Sequence, residues 1–282
     1  MRQRLISAAV LVAVVVAFFV AGNPWLTIGI AVLAALAAYE AADLVRAAGL
    51  PADRWLAALI AAGAVLGLPL LTGPGSIELG AVLVAPALAA GLMLTAVVAL
   101  RQRNARDGFL GWAGTTIAAL YPAMLAFAAA IVALGGGQAA APLPFGLDAG
   151  RVWLAVLVLT VWTLDSAAYL AGRYHGRGRF FNHVSPHKTW SGAIGGTLAA
   201  IAACAGLVVL AGGAPLGGAI LGLIIALTAQ AGDLAESMLK RAAGAKDSGR
   251  LIPGHGGILD RVDSYIFAAP AAWLLIAYFG LG

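Results

Sequence analysis

The feature that most limits what this chain can fold into is a recurring apolar run. Stretches of roughly 18 to 24 uncharged, Ala/Leu/Val-rich residues follow one another along the sequence, each long enough to cross about 30 Å of hydrocarbon as a helix. Of the 282 residues, 62% are hydrophobic and 10% charged, whereas about a quarter of a soluble domain is charged. The expectation is an all-α, polytopic integral membrane protein. We place nine transmembrane helices at about 5–21, 25–45, 55–72, 77–100, 111–134, 152–171, 191–212, 216–238 and 262–281. Pro51, Gly73-Pro74-Gly75, Gly135-Gly136-Gly137 and Gly212-Gly213 punctuate them. The run after Met1-Arg2-Gln3-Arg4 looks like a signal peptide, but the weak cleavage context at Ala21-Gly22-Asn23 and the spans that follow favour a retained first helix.

Charge placement orients these spans. With a cytoplasmic N-terminus, sixteen of the 17 Lys and Arg fall in inner segments, and Arg151 alone falls outside. The C-terminus then lies outside. The net charge of +5 therefore reports topology and not nucleic-acid binding. Cys204, the single cysteine, sits in an apolar run, so neither a disulfide framework nor a Cys-type metal site is available. No internal repeat is visible, which weakens an inverted-repeat transporter.

The two halves differ in chemistry. Residues 1–150 form an N-terminal region of about five spans with few polar groups. Its exceptions, Glu40 and Asp43, read as an interfacial helix end whose side chains reach water. Residues 151–282 form the region that carries the chemistry.

The densest block runs from Gly232 to Ser264. It holds five acids (Asp233, Glu236, Asp247, Asp260, Asp263) and five bases (Lys240, Arg241, Lys246, Arg250, Arg261). Asp233, Glu236, Ser237 and Lys240 recur at i, i+3, i+4 and i+7, one face of a helix. Asp260 and Asp263 share a face at the start of the next helix. Pro253-Gly254-His255-Gly256-Gly257 between them reads as a tight loop with available backbone N–H groups. Acid-bearing helix ends joined by such a loop suit a hard divalent cation and the phosphates it carries. Asp233 and Asp260 are the favoured metal ligands, with Asp263 and Glu236 behind them. His255 alone cannot make a zinc site, and oxygen ligands favour Mg²⁺.

Two further clusters lie upstream. Asp165 and Tyr169 stand one turn apart in the sixth span, and Arg173, Arg177 and Arg179 follow in a glycine-rich loop expected to be flexible. Ser185-Pro186-His187-Lys188-Thr189-Trp190 opens the seventh span, where a helix start with Lys and hydroxyls forms an anion site. Ser185 or Thr189 could equally serve as an N-cap.

Ser237-Met238-Leu239-Lys240-Arg241, Lys246-Asp247 and Ile252 through Asp263 resemble the signature of the phosphatidate cytidylyltransferases, the CDP-diacylglycerol synthases, over 27 residues. Asp165 to Arg173 and Ser185 to Trp190 resemble that family's other blocks. The sequence departs from the pattern at His187, where a basic residue is common, and at Ser191, where Glu is common. The resemblance implies transfer of CMP from CTP to phosphatidate, giving CDP-diacylglycerol and pyrophosphate in phospholipid biosynthesis. It implies Mg²⁺, with the number of cations open, a homodimer, and a multi-pass protein of the bacterial cytoplasmic (inner) membrane whose active site faces the cytoplasm. Implied catalytic residues are Asp233, Lys240, Arg241, Lys246, Asp247, His255, Asp260 and Arg261. Implied substrate-binding residues are Asp165, Tyr169, Arg173, Ser185, Lys188, Thr189 and Ser237. The weighed alternatives are a related CTP-dependent enzyme acting on an isoprenoid lipid and an ion-coupled transporter.

Overall fold

The computed structural model describes residues 2–71, 89–134, 146–176, 178–254 and 256–278; the side chains of residues 2–9, 11 and 69–71 are not described. Residues 77–88 of the expected span at 77–100, residues 135–145, Arg177 and His255 lie outside those residues. The fold is all-α. The helices are α1 (Arg2–Ala21), α2 (Trp25–Ala47), α3 (Arg54–Leu71), α4 (Ala89–Ala99), α5 (Ala105–Ala123), α6 (Ala126–Ala133), α7 (Ala149–His175), α8 (Trp190–Leu210), α9 (Pro215–Ala242) and α10 (Leu259–Tyr278). Every expected span overlaps a helix. Among the described residues, five stretches are long and apolar enough to cross a membrane: α2, α5 with α6, α7, α8 and α9. The protein is a polytopic membrane protein.

The expected span at 111–134 is broken in two. Pro122 cannot donate a backbone hydrogen bond, and past it Met124 and Leu125 donate to Tyr121 and Pro122 in tight i→i+3 turns. Helix α7 runs on to His175 and α9 to Ala242, beyond the apolar cores from which their limits were read. Polar ends of a helix are invisible to hydropathy, although their backbone bonds continue.

The chain forms two compact units, residues 1–130 with 239–262, and residues 131–238 with 263–282. In the first, α2 is the packing centre, against α1, α3 and α5. Its buried face is built of Ala34, Ala37, Ala38, Ala41 and Ala42, all fully buried. Small side chains let backbones approach closely, which is how helices associate where lipid removes the hydrophobic incentive. Local caps set the helix starts. Asp53 accepts from the Trp55 and Leu56 amides at 3.0 Å, and its own amide donates to Thr115 on α5 at 3.0 Å. Asn104 caps α5 through the Asp107 amide at 2.7 Å.

In the second unit α8 is gripped on two sides by glycine contacts. Against α7, a Cβ on Gly192 would lie 2.8 Å from the Ala168 carbonyl oxygen, and one on Gly196 would lie 2.8 Å from that of Leu164. Against α9, Gly218 and Gly222 sit on Cys204 and Ala200. Cys204 is fully buried. Thr197 accepts from Gln230 across the α8–α9 contact at 3.0 Å. Helices α9 and α10 touch at Gly232, whose missing side chain leaves room for the Asp263 carbonyl oxygen at 2.5 Å from the position of a Cβ.

Gly196→Ala is expected to force α7 and α8 apart and to cost about 1–3 kcal/mol, the usual range for overpacking. The expected readout is a lowered thermal unfolding midpoint of the purified protein in detergent, while Gly206→Ala, with open space around it, leaves the midpoint in place.

Candidate active site

The glycine-rich loop between α9 and α10 is a closed turn. Ile252 and Gly256 pair as a single antiparallel bridge, with the Ile252 amide donating to the Gly256 carbonyl at 3.0 Å. Gly254 has φ +77° and Gly256 φ +82°. Only glycine adopts these angles without strain, and Pro-Gly at the centre suits a turn that needs a positive φ in second place.

Asp260 is anchored beside this turn. Its Oδ2 accepts from the Ser248 amide at 2.8 Å and the Gly257 amide at 2.8 Å, and lies 2.9 Å from the Ser248 hydroxyl oxygen, whose single proton goes either to it or to Glu40. Its Oδ1 lies 2.7 Å from Lys240 Nζ, with the two side chains 8% and 15% exposed. Burial alone would raise the Asp260 pKa, but the Lys240 ammonium and the Gly257 and Ser248 amides outweigh it and hold the value down to about 2. Asp260 precedes the apolar stretch of α10 and stays ionised at physiological pH. Lys240, expected among the catalytic bases, is thus committed to a carboxylate in the same block.

Next to Asp260 an open cleft of about 600 Å³ is lined by Lys246, Asp247, Arg250, Pro253, Gly254 and Arg261, with Gly249, Ile252 and Gly256 completing the wall. Three bases against one acid on a glycine-rich wall suit an anion. Arg250 belongs to this wall and was not among the expected site residues; its place in the charged block was the available signal. Arg241 is exposed at the end of α9.

In the second unit, Asp233 on α9 pairs with Lys188, Oδ2 to Nζ 2.6 Å, with the side chains 33% and 25% exposed. The Ser237 hydroxyl donates to Asp233 Oδ1 at a long 3.4 Å. Asp165 on α7 lies within electrostatic range of both Asp233 and Lys188. Sequence reading listed these as separate clusters; the fold makes them one. Lys188 is held by a small hairpin. The Phe180 amide donates to its carbonyl at 2.9 Å, Arg179 bridges Thr189, and Phe180 stacks edge-on against Trp190 with centroids 4.5 Å apart. The basic loop expected to be flexible is therefore closed by backbone bonds and aromatic packing.

Thr189 is the N-cap of α8, accepting from the Gly192 amide at 3.1 Å. Arg173 donates to Tyr169, its neighbour one turn back, at 3.1 Å, on an exposed face. The Ser185 carbonyl accepts from the Lys188 amide at 3.3 Å. Asp263 Oδ1 accepts from the Ser264 amide at 2.7 Å. Glu236 is fully buried.

Of the two acids of α2, Asp43 behaves as expected, half-exposed between Arg46 and Arg54. Glu40 does not. It is 8% exposed, and its Oε2 lies 2.9 Å from the Ser248 hydroxyl. Interfacial snorkelling is wrong for it because donors of the signature block meet it inside the protein.

Among the described residues no three His, Cys, Asp or Glu side chains gather closely enough to form an all-protein metal cage. The donor sets still fit Mg²⁺, which takes one or two carboxylates and keeps water and substrate phosphates as its other ligands. Asp233 Oδ1 meets only the distant Ser237 hydroxyl among the described contacts and has lone pairs to give. Asp260 fits if Lys240 yields its Oδ1.

A model of the cytidylyltransferase family matches residues 2–279. The chain is 48% identical over 139 residues to a phosphatidate cytidylyltransferase of Brucella suis biovar 1 (strain 1330), covering 48% of this chain and 49% of that protein. It is 41% identical over 140 residues to one of Synechocystis sp., covering 47% and 46%. It is 38% identical over 128 residues to one of Mycobacterium tuberculosis (strain ATCC 25618 / H37Rv), covering 45% and 39%. The matched stretch thus spans about half the length of these curated relatives, or less. A match over nearly the whole sequence, with the signature block folded around an anion cleft and a locked carboxylate, places this chain in the cytidylyltransferase family.

Proposed function

We propose that the protein is a phosphatidate cytidylyltransferase, joining CTP and phosphatidate into CDP-diacylglycerol with release of pyrophosphate. The observation that carries this reading is the basic cleft of Lys246, Arg250 and Arg261 built by the signature turn directly beside the Asp260 network. The printed names of the relatives point the same way.

The chemistry needs no protein nucleophile. The lipid phosphate is already ionised near neutral pH, so catalysis is alignment and charge neutralisation. A phosphate oxygen of phosphatidate attacks the α-phosphorus of CTP; the bond to the β-phosphate bridge breaks, and pyrophosphate departs with that electron pair. Lys246, Arg250 and Arg261 hold the triphosphate, with Asp247 on the same wall; Arg241 and His255 are further candidates from the signature block. Lys188, Arg173, Tyr169, Ser185 and Thr189 serve the lipid phosphate. Asp233 and, in the other unit, Asp260 would each offer carboxylate oxygen to Mg²⁺, with Asp263 as a further candidate; buried Glu236 suits this less well. When bound, such a cation adds positive charge against the phosphates and the departing pyrophosphate.

Placement in the membrane supports the reading. CTP is cytosolic, and the described candidates, by the charge bias, belong to segments on the inner side. The bacterial inner membrane and a homodimer are part of the same proposal.

Asp233→Ala and Asp260→Ala are each expected to abolish Mg²⁺- and CTP-dependent labelling of phosphatidate by the purified protein in detergent, while the protein still inserts. Wild-type turnover in either variant removes that residue from the metal role. A panel of lipid phosphates in the same assay separates phosphatidate from an isoprenoid lipid substrate. Lys188→Ala is expected to lower kcat/KM by at least about 1.5 kcal/mol, the lower range for a hydrogen bond to a charged group; an unchanged value withdraws Lys188 from lipid-phosphate binding.

A further inference from the structure

The signature block is tied to a carboxylate in the other half of the sequence. Glu40 Oε2 accepts from the Leu259 amide at 2.9 Å and lies 2.9 Å from the Ser248 hydroxyl, whose one proton is shared between it and Asp260 Oδ2, across 219 and 208 residues of sequence. Leu259 opens α10, so this bond satisfies one of the amides that a helix start leaves without an internal partner. The next amide, of Asp260, donates to the Ser248 hydroxyl oxygen at 3.2 Å. A carboxylate at this end also meets the positive pole of the helix.

Space as well as bonding is reserved for Glu40. A Cβ on Gly249 would lie 2.3 Å from Glu40 Oε1, and one on Gly257 would lie 2.2 Å from Oε2. These two glycines need no special φ here; their lack of a side chain admits the carboxylate. On α2 itself, Glu40 interrupts a buried face of alanines, Ala37, Ala38, Ala41 and Ala42. An apolar side chain would pack there without the desolvation penalty of a buried charge. What it could not do is hold two donors of the turn at one oxygen.

We propose that Glu40 is a positioning residue for the cytidylyl transfer. It touches no substrate. Through Ser248 and the first amide of α10 it fixes the 248–259 turn, and with it the direction of Asp260 and the bases of the cleft. The kinetic part of this inference rests on the cytidylyltransferase reading; the structural part does not.

The test uses the full-length protein in detergent and two independent readouts, amide hydrogen exchange of peptides covering 246–262 and steady-state kinetics with CTP and phosphatidate. Glu40→Ala is expected to speed exchange in that segment by about tenfold or more and to lower kcat/KM by a similar factor, the size of one lost hydrogen bond to a charged group. Peptides of α7 and α8 keep their protection. Because one oxygen takes both bonds, Glu40→Gln, with its carbonyl in that place, is expected to restore exchange and kcat/KM to within about threefold of wild type. Unchanged exchange in Glu40→Ala overturns the proposal, and so does a Glu40→Gln variant as impaired as Glu40→Ala, since charge and not the bonded geometry would then be what matters. If Glu40→Ala does not accumulate, Glu40→Asp, one methylene short of the turn, carries the same expectation of faster exchange. A wild-type protein that turns over neither substrate sinks the functional reading alone, and the exchange data still judge Glu40.

Discussion

The start of α10 is where the organisation of this protein converges, because backbone amides and acidic side chains compete there for the same few partners. A helix beginning inside a membrane protein exposes amides that water cannot easily reach. Here Glu40 and Ser248 take the first two, while Asp260 reaches back to Gly257 and across to Ser248. Lys240 balances the Asp260 charge at 2.7 Å. Hydrogen bonds of this kind strengthen one another in a low-dielectric setting, and each unmet member would be costly. These bonds tie the backbone on either side of the cleft wall to one another.

A different principle places the second cluster. Helices α7, α8 and α9 meet through glycine and alanine, so their backbones lie close and their positions are set by van der Waals contact. The hairpin at 178–190 rides on the α7–α8 pair and delivers Lys188 to Asp233. Neither partner is compelled by its own helix to face the other. The glycine contacts fix the helices, and the aromatic packing of Phe180 on Trp190 fixes the hairpin.

Much of this is readable from residue order, and the exceptions share a cause. The Pro253–Gly257 turn was legible because a Pro-Gly pair with flanking glycines permits little else. Thr189 as an N-cap was legible as one of two local possibilities. Glu40 was misread, since an acid near the end of an apolar run resembles an interfacial side chain until its partners are known. The pairing of Lys240 with Asp260 was not legible, because sequence spacing shows which residues share a face of α9 and not what that face meets.

Hydropathy and charge bias determined by themselves that the chain is a polytopic helical membrane protein, and the contiguous glycine-punctuated charged block carries the resemblance to the cytidylyltransferases that the family match bears out, because these signals are periodic or contiguous and need no partner from elsewhere. Only the tertiary structure decided how the charges are shared: Lys240 with Asp260 across 20 residues, Lys188 with Asp233, and Glu40 with Leu259 across 219. Those pairings follow from which helix backbones can approach, and that depends on small-residue contacts among segments far apart in the chain, so no local pattern encodes them.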